Sequence, residues 1–178
     1  MHSNAEQTKQ YPGVIGVEVR TCGERSIIGI EMFVDQKRVR PEVEIPRLWR
    51  QLLERTEGVQ QLSPTSGKIG LYAYEPPFGP GQEFVYTAGF EVDGRTDALP
   101  DGMLVKQIPG GEAAVVRFRG KPAEYGQAWD YLHQVWYPSQ QTYDVVDDYE
   151  FERLADAFAG EEEVAAVFEL HFPLKRRA

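Results

Sequence analysis

Apolar residues recur along this chain with two different periods, and their order predicts an α+β fold. Between Val14 and Val34 the β-branched residues Val17, Val19, Ile27, Ile28 and Ile30 mark extended chain, broken at Thr21-Cys22-Gly23-Glu24; one long interrupted strand or a hairpin would fit. From Glu44 to Gly58 the period changes. Ile45, Leu48, Trp49, Leu52 and Leu53 are spaced as one face of a helix, with Pro46 near its start and Gly58 past its end. Lys68 to Glu75 then alternates Ile69, Leu71 and Ala73 with Gly70, Tyr72 and Tyr74, and after the Pro76 to Gly81 loop a further strand is predicted from Glu83 to Val92.

The same strand, helix, strand, strand grammar then recurs. Met103 to Arg119 reads as strand interrupted at Pro109-Gly110-Gly111-Glu112. A helix is predicted from Ala123 to Tyr137, ended by Pro138, followed by strands at Tyr143 to Leu154 and Val164 to Leu174. Local echoes suggest a duplication: Gly23-Glu24 before Ile27-Ile28 with Gly111-Glu112 before Val115-Val116, Trp49 and Leu52 with Trp129 and Leu132, and Glu75 with Glu152. A half with one helix leaves a sheet face poorly covered, so one domain with a shared core is expected. Its limits are read as 14–174, with repeats at about 14–93 and 102–174, a disordered tail at 1–13 and a basic tail at 175–178.

Composition narrows the class. The 178 residues are 42% hydrophobic, and no stretch approaches the roughly 18 apolar residues of a membrane span; the first ten residues lack the apolar core of a secretory signal. One cysteine, Cys22, excludes an internal disulfide and fits a reducing, cytoplasmic setting. The net charge of −9 is concentrated between Asp144 and Glu163, where nine acids face Arg153 alone. Such a protein is not expected to bind nucleic acid, which demands clustered Lys and Arg. Glu161 to Glu163 read as a solvated face.

Candidate chemistry is sparse. There is no phosphate-binding glycine loop, and His2, His133 and His171 have no metal-like spacing, so neither a cofactor nor a metal is expected. Cys22, in a predicted break without a neighbouring histidine, reads as a half-buried side chain. Aromatic residues, however, crowd around Glu150 and Glu152: Tyr125, Trp129, Tyr131, Trp136, Tyr137, Tyr143, Tyr149 and Phe151. Trp129 and Leu132 suit the buried stripe of the helix. Aromatic walls with a carboxylate at their floor suit a lipophilic cation, and desolvation would raise the pKa of that acid. On a strand Glu150 and Glu152 share one face, and Tyr149 and Phe151 the other.

Pro100-Asp101-Gly102-Met103, the Ile108-Pro109-Gly110-Gly111 turn before Ala113 to Phe118, Gly120, Trp129-Asp130-Tyr131-Leu132 through Trp136-Tyr137-Pro138, and Tyr149-Glu150-Phe151-Glu152-Arg153 resemble the GyrI-like effector-binding domain. That module occurs in AraC-type and multidrug-responsive activators and as a stand-alone protein. The resemblance implies a tandem βαββ duplication, a curved antiparallel sheet with two helices around a central groove for hydrophobic or cationic small molecules. It places Glu152 as the family's recurrent acid and Trp129 as its helix aromatic; Tyr131 and Trp136 from the aromatic cluster, and Tyr74 and Tyr72 from the repeat, are the further candidate walls. The chain has no room before Val14 for a helix-turn-helix, so direct DNA regulation is not expected. The function it implies is that of a stand-alone sensor, sequestration or detoxification protein. Two alternatives stay open: a hydrolase of cyclopropane-bearing electrophiles with Glu152 as base, and a gyrase-inhibitor-like module acting on a protein partner. A homodimer is also left open.

Overall fold

The computed structural model describes residues 10–56, 67–75, 81–92 and 99–178. Its strands are β1 (Val14–Cys22), β2 (Arg25–Asp35), β3 (Lys68–Ala73), β4 (Glu83–Val92), β5 (Leu104–Ile108), β6 (Gly111–Gly120), β7 (Tyr143–Val145), β8 (Tyr149–Leu154) and β9 (Ala166–Arg176). Helix α1 spans Pro41–Thr56. Helix α2, Gly126–Tyr131, is preceded by a 3₁₀ turn at Pro122–Glu124 and runs on into a π-helical turn, Leu132–Trp136. The architecture is α+β, as the periodicity predicts.

All strand pairs are antiparallel, in the order β1-β6-β9-β8-β3-β4-β2-β5, with β7 added beside β9. Exchanging β1 with β5, β2 with β6, β3 with β8 and β4 with β9 reverses this order onto itself. The two halves therefore meet head to head at the β3–β8 pair. Of the two readings of Val14 to Val34, the hairpin does not survive, because β1 does not pair with β2; the interrupted extended chain does, broken only at Gly23-Glu24. Instead, the two-residue links Gly23-Glu24 and Pro109-Gly110 carry the chain between opposite ends of the strand order, which obliges the sheet to curl. At this crossing the links touch: a Cβ on Gly110 would sit 2.8 Å from the Glu24 nitrogen and 3.0 Å from the Cys22 oxygen.

Strand alternation divides the apolar residues between two clusters. On the helix-bearing face, Leu48, Trp49 and Leu52 of α1 and Ala128 and Leu132 of α2 join Ile28, Tyr86, Ala88, Val116, Phe118, Phe168 and Phe172 in one core drawn from both halves. On the other face Ile27, Ile69, Leu71, Ile108 and Phe151 form a smaller cluster. There Phe151 stacks on the buried His171 at 4.4 Å, with the Arg25 guanidinium 5.4 Å from its ring. Burial pushes the His171 pKa down to about 4, against the Glu169 carboxylate that its Nε2–H reaches at 3.1 Å.

Several sequence expectations shift. Helix α1 begins at Pro41, so Pro46 lies inside it and leaves the Glu42 carbonyl without its helical donor. Glu42 and Glu44 in the first turn and Arg55 in the last suit the helix dipole. The Ala123 to Tyr137 helix is composite, and where it widens the His133 Nδ1–H donates to the Trp129 carbonyl at 2.9 Å. The strand expected from Tyr143 to Leu154 is split into β7 and β8.

The assigned tails are docked where they are described. Tyr11 is buried and donates to Gln134 Oε1 at 2.9 Å. Lys175 and Arg176 prolong β9, while Arg176 and Arg177 pair with Glu112 and Asp144. Residues 1–9, Gly58 with the rest of 57–66, residues 76–80 of the loop and residues 93–98 between the repeats lie outside the described residues.

Candidate functional site

The β3–β8 seam places its chemistry by register. Gly70 pairs with Glu152 and Tyr72 with Glu150 across β3 and β8, and Tyr72 pairs with Tyr86 across β3 and β4. All five therefore face the helices. Above them α1 and the segment leading into α2 do not close, leaving a cavity of about 310 Å³. Its walls include Tyr72, Phe84, Tyr125 and Trp129, the helix residues Ile45 and Pro46, and the acids Glu42, Glu150 and Glu152; among the described residues no lysine, arginine or histidine lines it.

Glu152 is 1% exposed and held by two hydroxyls: Tyr86 donates to Oε1 at 2.6 Å and Tyr72 to Oε2 at 3.2 Å. Trp49 orients this arrangement from α1. Its indole N–H, which can only donate, reaches the Tyr86 oxygen at 2.8 Å, so the Tyr86 hydrogen is left for the carboxylate. Burial pushes Glu152 up to about 7, opposed by the bonds from Tyr86 and Tyr72. Beside it Glu150, 5% exposed, is pushed up to about 8, first by burial and then by the charge of Glu152, against a hydrogen bond from Tyr74. Burial and these carboxylates also drive the Tyr72 and Tyr86 hydroxyls well above their ordinary range, so both remain donors.

Replacing Trp49 with phenylalanine should cost about 1–2 kcal/mol, one buried hydrogen bond plus a small void. Urea unfolding with an unchanged m-value would check this.

The structure brings together Glu152, Tyr72 and Trp129 of the sequence candidates, with Tyr74 reaching the site through Glu150. Leu132 is in the core as its spacing suggests, whereas Trp129 is half-buried, stacked on His133 at 3.9 Å and open to the cavity. Two candidate walls are elsewhere. Tyr131 meets Tyr11 edge to face at 5.5 Å, and Trp136 packs on the margin of the core; neither lines the cavity, Tyr131 because two helical residues carry it to the side opposite Trp129 and Trp136 because it ends the widened turn. Phe151 and Tyr149 face the other side, as alternation requires. Glu75 is exposed, and its echo with Glu152 fails on face parity. An offset of 77 would carry groove-facing Tyr72 onto Tyr149, whereas the helix offset of 80 carries it onto Glu152.

Sequence reasoning did not single out Tyr86 or Phe84, nor Trp49 as anything but core. The available signal was the alternation of β4, where Phe84 and Tyr86 share a face. The acids at 161–163 are peripheral: Glu162 pairs with Arg50 and Glu163 with Lys121. Among the described residues, no group of His, Cys, Asp and Glu side chains could hold a metal ion, and no helix is long and apolar enough to cross a membrane.

A curled sheet whose pseudo-equivalent halves frame an aromatic, acid-floored cavity defines an effector-binding domain, a class that takes up small molecules. The family model for integron-associated effector-binding proteins, Cass2, matches residues 18–174, and the chain belongs to that family. This agrees with the GyrI-like resemblance of its motifs. An integron cassette protein from the mobile metagenome of Vibrio cholerae is 16% identical over 92% of this chain and 98% of its own, with a TM-score of 0.57. SAV2435, whose structure holds tetraphenylphosphonium, is 17% identical over 90% of this chain and 94% of its own, with a TM-score of 0.61. The C-terminal domain of EcmrR is 14% identical over 91% and 98%, with a TM-score of 0.62. At these identities the likeness is one of fold. The comparison with curated proteins gives no match.

Proposed function

We propose that this protein binds lipophilic cations in the groove between α1, α2 and the β3–β8 seam, and serves as a sensor or sequestration module for them. One observation carries the reading. The cavity wall combines three carboxylates with four aromatic rings and, among the described residues, contains no basic side chain. Two of those acids are buried, so a cation entering there supplies a counter-charge that the described wall does not. The rings add apolar contact and cation–π attraction. The tetraphenylphosphonium bound to SAV2435 is a ligand of this chemistry in a protein of the same fold.

Calorimetric titration with tetraphenylphosphonium and with a neutral aromatic of similar size would test it. The cation is expected to bind, and Glu152→Gln to weaken it about tenfold or more, the scale of one desolvated charge interaction. Equal affinity for the neutral compound, or unchanged affinity in Glu152→Gln, would overturn the electrostatic role.

A second reading, hydrolysis of a strained-ring electrophile, is favoured by Glu152 itself, an acid pushed up to about 7 beside the Tyr72 hydroxyl. Product mass after incubation with a cyclopropane-bearing electrophile would support it, and turnover that survives Glu152→Gln would exclude that residue as the base.

A further inference from the structure

The two central acids are not equivalent. Each oxygen of Glu152 already accepts a tyrosine hydroxyl, from Tyr86 and from Tyr72, and the Trp49 indole fixes the first of these in direction. Glu150 also accepts a bond, from Tyr74. Its Oε2, however, is buried on the cavity side of the sheet without a hydrogen-bond partner among the described residues. A buried carboxyl oxygen without a partner is unfavourable whether the acid is ionised or protonated, and buried polar atoms in folded proteins are rarely left so. The site thus leaves one defined atom open to a donor, on a wall that holds no cationic group among the described residues.

We infer that the groove selects cations bearing an N–H group, such as protonated amines and amidines, over fully alkylated ammonium and phosphonium ions, and that Glu150 Oε2 makes the distinction. This rests on the cation-binding reading above and narrows its ligand class. Glu152, already engaged by hydroxyls, acts on every cation alike through its charge. Glu150 rewards the one that can also donate. A charge-assisted N–H···O bond is directional and short, whereas an ion with four carbon substituents presents only C–H groups to the same oxygen. Aromatic contacts with Tyr72 and its neighbours serve both kinds equally and do not discriminate.

A matched pair of probes isolates the effect: N,N-dimethyl-1-naphthylmethylamine, protonated near neutral pH, and its N-methyl quaternary ammonium derivative. Both are titrated calorimetrically into the full chain. The protonated amine is expected to bind the wild-type protein about tenfold more tightly, the scale of one hydrogen bond to a buried charge. In Glu150→Met the two affinities should converge within about twofold, whereas Glu152→Gln should weaken both while keeping their ratio. Equal wild-type affinities, which need no variant, would overturn the inference while leaving the cation reading intact. So would a preference that persists in a folded Glu150→Met, since it would then come from the bulk of the extra methyl. Failure of both ions to bind the wild-type protein would overturn the cation reading and this inference with it.

Discussion

Replacing Gly70 with alanine is expected to dismantle the site and to lower stability by about 2–4 kcal/mol, combining the cost of overpacking with that of a broken buried hydrogen bond. Gly70 lies on β3 opposite Glu152, on the strand pair where the two halves meet. A Cβ there would stand 2.0 Å from the Tyr86 hydroxyl oxygen and 2.7 Å from Glu152 Oε1. Neither atom can retreat easily. Tyr86 is fully buried and tied to Trp49, and Glu152 is held on a central strand. The methyl would therefore separate the Tyr86–Glu152 pair, leaving a buried carboxylate oxygen without its donor. Denaturant unfolding would read the stability, and titration with tetraphenylphosphonium the loss of binding. Gly16→Ala on β1 supplies the control: its Cβ meets nothing within 4 Å, and its effect should stay within about 0.5 kcal/mol. Comparable losses in the two variants would argue against crowding at the seam.

Stability should also fall as the solution becomes alkaline. Glu152 and Glu150 have folded-state pKa values near 7 and 8, raised from an ordinary 4.5. The native state thus holds protons that the unfolded chain has released. Their stabilising contribution is complete below about 4.5 and is lost as pH rises through 7 and 8, with little change above about 9. At about 1.4 kcal/mol per pKa unit, the pair accounts for several kcal/mol across that range. His171 works in the opposite sense. Its folded pKa is depressed to about 4, so its contribution is present above its ordinary 6.5 and is lost as pH falls towards 4. The interval from pH 6.5 to 9 consequently belongs to the two glutamates. Thermal melts there should show a declining Tm that flattens in the Glu150→Gln, Glu152→Gln double variant. A bound cation favours the ionised carboxylates, so the Tm increase it produces should grow over the same interval. A Tm independent of pH between 6.5 and 9 would mean that these acids are not buried as described.

These two effects come from different levels of information. The periods of the hydrophobic pattern were enough to locate α1, most strands and the two-faced character of β3 and β8. Alternation is a local geometric consequence of extended chain, and it already put Glu150 and Glu152 on one side and Phe151 on the other. Motifs from Pro100 to Arg153 were enough to indicate an effector-binding fold and to single out Glu152. Pairing was not legible in this way. Nothing in Thr21 to Glu24 tells whether the chain turns back as a hairpin or crosses to the far end of the sheet, because both continuations use the same short, polar, glycine-containing break.

Which aromatic residues face the groove was likewise open, since helical spacing gives a stripe but not its rotation. The π turn after Tyr131 removed Trp136 from the wall, while Pro46 within α1 helped to shape the opposite side. The sequence by itself determined most element types and the alternation of strand faces, and its family resemblance singled out Glu152 as a candidate. Only the tertiary structure decided that Trp49 and Tyr86, distant in the chain, would hold that acid, and that Gly70 would leave room for them. Those contacts depend on register across strands and on how far a helix stands from a sheet, quantities set by packing of the whole core rather than by any local pattern.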